Sequence, residues 1–448
     1  MAQLLLQGTN FVNFVGFNAW IGEERHVEAV QVTEWDEPQA VIGSYLHRYA
    51  YPDWYAQHQE RGRRLPEAHD HGSGGSVGCV ALRGEYLFAA EGAGGLRVYD
   101  VANIANKGVS QRIVTAPFSP LGHETHVASK AASCVALPTN QPINPSRNAT
   151  ELARGTNQEQ PMHPIYRYAV VADAQEGLIL VNVETLADGE PRNNFLSRAA
   201  TWNPDGVLTG ARHVILGGHY AYVATPQALV IVNLDDPLEP KLAARVALDG
   251  PRSMALQFRY LFATTAAGLE VLDVTIPERA RRVEGARVAL ADAQGIYVAR
   301  TYAYVAAGRE GLAIVDVERP EAPRLLTRFD ADGKLDDARD VVVGSTNASL
   351  FAYVADGKNG LKVLQLTAPD TQPRFYGFSP EPRPQLIAWR ATASPAMSLS
   401  KGLDRDRAVD ETGHQIAVFG RIGSRPFTLE EQRRLYMKPD GTVWTVKD

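Results

Sequence analysis

Four histidines set beside carboxylates are the residues whose type and spacing could most readily do chemistry. The stretch "EAHDHGSGG" places His69 and His71 around Asp70, and "GHETH" places His123 and His126 around Glu124. Imidazole with carboxylate is a donor set that suits zinc or copper. The patterns HxH and HxxH are short, however, and histidines in polar loops are ordinarily solvated or hydrogen-bonded. A metal site here requires that the two segments meet in space.

Other motifs fail on inspection. "DADGKLDD" from Asp330 begins like a calcium loop but has Leu335 where an EF-hand needs glycine and Val341 where it needs a bidentate Glu. A shallower calcium contact stays open. No GxSxG, P-loop or HExxH occurs, and the absence of CxxCH excludes covalently attached haem within this chain. Nothing in the motifs assigns a catalytic residue, so the reading leans toward a protein that is not an enzyme.

A second group of residues suits binding rather than catalysis. "YLHRYAYPDWYAQH" carries Tyr49, Tyr51, Trp54 and Tyr55 within a few residues. Tyr and Trp are enriched at protein interfaces and among their hot spots. The alternative is that these rings pack a loop onto the body of the protein as a small satellite core.

The elements that must position these groups follow from a repeat. The chain has 448 residues with 45% hydrophobic composition, which is long for one ordinary domain. A strand signature of alternating aromatics or Val recurs at Tyr86/Phe88, Tyr168/Val170, Tyr220/Tyr222, Tyr260/Phe262, Tyr302/Tyr304 and Phe351/Tyr353. After each comes a turn, glycine-bearing in five of the six, and a second signature, usually Gly-Leu-x-Val-x-(Asp/Asn), at Leu96, Leu178, Leu229, Leu269, Leu312 and Leu361. Glycine supplies the positive φ that tight hairpins need. Proline-bearing stretches such as "DPLEP" and "RPEAP" end the second strand and lead to an outer one.

Four short strands in about 40–50 residues is the period of a propeller blade. Segments such as "GLAIVDV" are apolar on both faces, as a strand sandwiched between neighbouring blades must be. The expected fold is therefore all-β, a β-propeller of four-stranded antiparallel blades over residues 10–400. A degenerate seventh copy from Val27 favours seven blades, with six or eight left open by the ends of the chain.

Blade spacing is uneven. The surplus residues, roughly 45–75 and 116–165, are expected after an outer strand and before the next innermost one. Both insertions would then project from one face of adjacent blades, and long loops on a rigid β scaffold commonly carry function. Residues 401–448 read as a C-terminal extension packed on the propeller. It holds one strand, "HQIAVFGRI", and a short helix opened by a Thr428/Glu431 capping box.

A net charge of −6 and a pI near 6.0 argue against a general affinity for nucleic acid or anionic membrane. No apolar run is long enough to span a bilayer, and the first residues do not read as a signal peptide.

The Gly-Leu-x-Ile-Val-Asp-Val wording resembles the LVIVD-repeat family of β-propellers. "YVARTYAYVAAGREGLAIVDVERP", "NASLFAYVADGKNGLKV" and "KGLDRDRAVDETGHQIAVFGR" are similar to the propeller region of exported proteins associated with multihaem c-type cytochromes. The resemblance implies an extracytoplasmic location, periplasmic or extracellular, and a redox neighbourhood. Cys79 and Cys134 fit either idle thiols or a disulfide, and the export implied by the resemblance favours a disulfide that pins the second insertion to the scaffold. The function these readings imply is a scaffold for protein–protein interaction, with a multihaem cytochrome or its assembly as partner. A metal-dependent enzyme using the loop histidines or the central channel, and a cell-surface binding or adhesion module, are the alternatives.

Overall fold

The computed structural model describes residues 76–83, 86–100, 125–137, 168–183, 196–346, 349–368 and 379–400, together with the backbone of 421–422 and 425–426. Each glycine-turn repeat of the sequence becomes the central hairpin of one four-stranded antiparallel sheet.

Blade one comprises β1 (Cys79–Arg83), β2 (Tyr86–Ala90), β3 (Leu96–Asp100) and β4 (His126–Val127). Blade two comprises β5 (Ala132–Ala136), β6 (Tyr168–Asp173), β7 (Gly177–Asn182) and β8 (Ser197–Trp202). Blade three follows with β9 (His213–Gly217), β10 (Tyr220–Thr225), β11 (Ala228–Asn233) and β12 (Lys241–Ala247). Blade four has β13 (Ser253–Gln257), β14 (Tyr260–Thr265), β15 (Gly268–Asp273) and β16 (Arg281–Ala289). Blade five has β17 (Ile296–Ala299), β18 (Tyr302–Ala306), β19 (Leu312–Asp316) and β20 (Arg324–Phe329). Blade six has β21 (Asp340–Thr346), β22 (Ser349–Ala355), β23 (Leu361–Thr367) and β24 (Gln385–Arg390). A two-stranded ladder, β25 (Arg421–Ile422) with β26 (Arg425–Pro426), completes the assignment.

Six blades stand among the described residues, against the seven favoured by the repeat count. The difference is the copy expected from Val27, which lies outside the described residues. The six aromatic signatures form the second strands, and the third strands open on Gly-Leu in five blades and on Ala228-Leu229 in blade three. As their two-faced apolarity requires, β11 and β7 are buried along nearly their whole length. The outer strands β8 and β20 alternate between exposed and half-buried positions.

The hydrophobic core is segmental, one cluster between each successive pair of blades from one–two to five–six. Phe262 and Tyr304, both almost fully buried, are among the largest residues in these layers. Each layer buries apolar surface at about 25 cal/mol per Å², so the ring is held by many similar interfaces instead of one central core.

Among the described residues no such cluster joins blade six to blade one. Residues 396–400 stand there instead. Ala396 bridges Gly357, as Ala132 bridges Gly92 and Ala338 bridges Gly308 at the entries to β5 and β21. The segment thus enters the channel wall where an innermost strand would begin. Val80 and Leu82 of β1 donate backbone N–H bonds to the Ser398 and Ser400 hydroxyls at 3.2 and 2.8 Å, and Leu399 N–H donates to Asp340 Oδ2 at 2.7 Å. This polar strap links the innermost strands of the first and last blades.

The second insertion falls elsewhere than expected. Only residues 128–131 separate β4 from β5, so the surplus lies between β3 and β4 and between β5 and β6. In an antiparallel meander those connections open on the opposite face from the central hairpins. The expectation that the 116–165 insertion follows an outer strand is corrected accordingly. Its cause is local: β4 has two residues and β5 reads "ASCVA", too short and too small-chained to register as strands. The insertion range 45–75 and most of the 401–448 extension, including the stretch expected to be helical, lie outside the described residues.

Candidate functional site

The innermost strands surround a central cavity of about 500 Å³, whose wall also includes Met397–Ser400. Each innermost strand hydrogen-bonds only one neighbour in its sheet, so its other edge faces the channel. The residues that open these strands give the cavity its chemistry.

At one mouth, a single register position repeats around the ring. The backbone N–H groups of Arg212, Arg252, Gln294 and Arg339 donate to the carbonyls of Ala224, Thr264, Ala306 and Ala355 in the adjacent second strands. Each residue lines the cavity. Arg252 pairs with Asp292 at 2.5 Å and donates to the Ala293 carbonyl at 3.1 Å. Gln294 Nε2 donates to the same Asp292 carboxylate at 2.7 Å. Arg339 is paired with Asp337. Arg212 is exposed and has no carboxylate partner among the described residues.

The next position forms a second layer. Cys79, His213, Ser253 and Asp340 pair with Ala90, Ala224, Thr264 and Ala355 respectively, and Cys134 pairs with Ala172. Cys79 and Cys134 are joined by a disulfide with Cα atoms 4.8 Å apart. Cys134 was expected in an insertion. It lies instead on β5, so the bond staples two adjacent innermost strands. His213 Nε2 is 3.5 Å from Ser253 Oγ, while its Nδ1 is buried without a partner.

Two groups of this layer titrate away from their ordinary ranges, in opposite senses. Burial pushes His213 down to about 4. Burial pushes Asp340 up to about 6, against the bonds it accepts from Leu399, Val341 and Ser398. Folding favours protonated Asp340, so its contribution to stability is lost as pH rises from about 4 through 6. Folding favours neutral His213, so its contribution is gained as pH rises from about 4 through 6.5. The two oppose each other in one window. Asp340→Asn is expected to leave the histidine term uncovered, so that unfolding free energy gains about 1–2 kcal/mol from pH 4.5 to 6.5 relative to the parent chain. Urea unfolding across that range checks this, and parallel pH profiles for both chains would refute it.

The residues singled out in the sequence are placed as follows. His126 sits on β4, where its Nε2 is 2.6 Å from the Gly94 carbonyl oxygen of the blade-one hairpin. His69, His71 and His123 lie outside the described residues, as do Tyr49, Tyr51, Trp54 and Tyr55. In the stretch from Asp330, Leu335 is fully buried, Asp336 binds Asn359 and Lys358, and Asp337 binds Arg339. Among the described residues no three His, Cys, Asp or Glu side chains are grouped to hold a metal ion.

Sequence reasoning missed the channel residues. The signal existed in "ARHVI", "PRSMA" and "ARDVV", where an Arg and then a polar residue precede an otherwise apolar strand at the same phase of the repeat.

The opposite face carries a different surface. The β13–β14 turn exposes Phe258 (77%), and the loops that follow β11 and β15 expose Leu238 (53%) and Ile276 (49%). Phe258 is held at φ +53°, a left-handed conformation that bulky residues rarely adopt. Around it, Arg259 lies over the Tyr260 ring at 5.1 Å, and Tyr260 and Tyr220 hydrogen-bond Glu321 and Glu278 of the next blade.

Comparison with known proteins agrees with this architecture. The chain contains four LVIVD repeats, at residues 74–115, 210–247, 291–331 and 337–369. No curated protein sequence matches it. A solved Lactobacillus plantarum protein is similar at 12% identity and TM-score 0.50, covering 73% of this chain and 88% of that one. The β-propeller domain of Swd1 from Myceliophteria thermophila aligns at 14% identity and TM-score 0.43, over 73% of this chain and 90% of that one. A functionally unknown protein from Desulfotomaculum acetoxidans aligns at 10% identity and TM-score 0.46, over 73% and 88%. At 12% identity the likeness to the Lactobacillus plantarum protein concerns the fold alone.

Proposed function

We propose that this β-propeller is a platform for protein–protein interaction, which docks a partner through the face bearing Phe258. The observation that carries the reading is Phe258 itself. An aromatic ring at 77% exposure gains nothing from burial, and its positive φ costs on the order of 1 kcal/mol. Folding alone does not account for such a residue at a hairpin tip, where Asn or Gly serves better. Exposed Leu238 and Ile276, in loops on the same face of blades three and four, extend the apolar surface. The polar surround of Arg259, Tyr260 and Glu321 suits the rim of an interface. The connections that hold the surplus residues between β3 and β4 and between β5 and β6 open on this face too.

For the partner we propose a multihaem c-type cytochrome or its assembly, met in an extracytoplasmic compartment. Support comes from the resemblance of three long segments to cytochrome-associated propellers. The Cys79–Cys134 disulfide is a further support, since such bonds persist in oxidising spaces. Among the described residues no helix is long and apolar enough to cross a membrane.

Phe258→Asn separates docking from folding. Asn tolerates the left-handed backbone, so the variant is expected to match or slightly exceed the parent in stability while its retention of the partner falls at least tenfold. Thermal unfolding and quantitative co-purification check the two halves. Unchanged retention would refute the docking face.

A further inference from the structure

The channel mouth on the other face carries chemistry that partner docking does not use. We propose that it binds a small organic anion, a carboxylate whose charged end is held by Arg212 and whose apolar part lies against the inner wall of the channel.

The cavity, at about 500 Å³, is of the size that holds small molecules. Its entrance is ringed by three arginines and a glutamine in a common register. Guanidinium groups carry only donors, in a planar fork that matches carboxylate oxygens. Asp292 and Asp337 neutralise two of the three arginines. Arg212 keeps its charge uncompensated among the described residues, so the ring has one cation to spare.

The second layer supplies a polar group beneath the rim. The Ser253 hydroxyl lies 3.5 Å from His213 Nε2, and where it donates to that nitrogen the proton of the neutral ring sits on Nδ1. That Nδ1 is buried and unpartnered, a state native proteins rarely leave uncompensated. It follows Arg212 directly in the chain, at the first paired position of β9. Burial holds the imidazole in its neutral form, so it adds a polar ring and not a second cation.

Deeper in, Val214, Ile296 and Val341 line the cavity and are buried apolar residues of β9, β17 and β21. Cation at the rim, neutral imidazole below it and aliphatic wall beneath describe a ligand with a charged head and an apolar body. Inorganic phosphate would satisfy only the rim.

The test is isothermal titration of the full chain with succinate, hexanoate, inorganic phosphate and the neutral hexanamide. Hexanoate or succinate is expected to bind saturably at one site per chain, and hexanamide at least tenfold more weakly than hexanoate. Arg212→Gln should lose at least tenfold in affinity with an unchanged unfolding temperature, because the side chain is exposed and unpaired. Absence of saturable binding by both carboxylates would overturn the proposal. So would undiminished binding by Arg212→Gln, or phosphate binding as tightly as hexanoate. None of these readings involves Phe258, so the outcome is independent of the docking face.

Discussion

Replacing Cys79 and Cys134 together by alanine is expected to lower the free energy of unfolding by about 4 kcal/mol. The bond closes a loop with a sequence separation of 55 residues, and the chain entropy released in the unfolded state sets that scale. The effect is expected to be large for a second reason. The disulfide staples β1 to β5, and blade one has on its other side only the polar strap of residues 396–400 among the described residues. Blade one therefore leans on blade two. Urea unfolding of the oxidised parent and the double variant measures the loss, and a difference below about 1 kcal/mol would show that the bond is incidental.

The second large effect concerns the glycine that gives the repeat its wording. Gly95, Gly268, Gly311 and Gly360 occupy one position, at the end of the central hairpin, with φ of +77°, +128°, +73° and +80°. A Cβ at Gly311 would stand 2.3 Å from the Phe329 carbonyl oxygen, and one at Gly268 would stand 2.0 Å from that of Val288. In these four blades the fourth strand ends against this glycine, so backbone on both sides must move to admit a methyl group. Gly311→Ala is expected to cost about 3 kcal/mol or more, from left-handed strain and the clash together. Gly218 provides the control, with φ +61° and open space around it. Gly218→Ala is expected to cost about 1 kcal/mol from the backbone alone. Equal losses for the two variants would contradict the close-approach explanation.

These glycines show why the architecture was legible in the sequence. The Gly-Leu signature answers to an approach of backbone to backbone that favours glycine, and it stands in five of the six blades, with Ala228 in its place in blade three. The aromatic signature survives because Tyr222, Phe262 and Tyr304 each fill an interblade layer. Strand order, blade type and the sandwiched third strand follow from these two signals. The number of blades does not, because a degenerate copy at the end of the chain counts the same in a pattern whether or not it forms a sheet.

The insertion face was misread for a related reason. His126–Val127 is a two-residue strand defined by its bonds to β3, and no pattern of apolar alternation marks it. Without β4 and β5 in place, the surplus of 116–165 falls to the wrong connection and hence to the opposite face. The channel site was hidden differently. Arg212, Arg252 and Arg339 stand about one repeat apart or more, and nothing local shows that they converge. Only the closed ring brings a shared phase of the repeat to a shared place.

The two proposed sites divide the molecule by face. Hairpin turns and loops of blades three and four present apolar groups on one side, and the starts of the innermost strands present arginine on the other. The rigid sheets between them fix both surfaces with little conformational freedom to lose on binding.

The docking claim is tested most directly by using the parent chain and Phe258→Asn as parallel baits in extract of the source cells, with retained proteins quantified and haem absorbance followed. The account expects one protein retained near stoichiometrically by the parent and at least tenfold less by the variant, with unfolding temperatures alike. Haem absorbance should travel with that protein if the proposed cytochrome class is right. Equal retention by both baits, or no protein retained specifically by either, would contradict the platform reading.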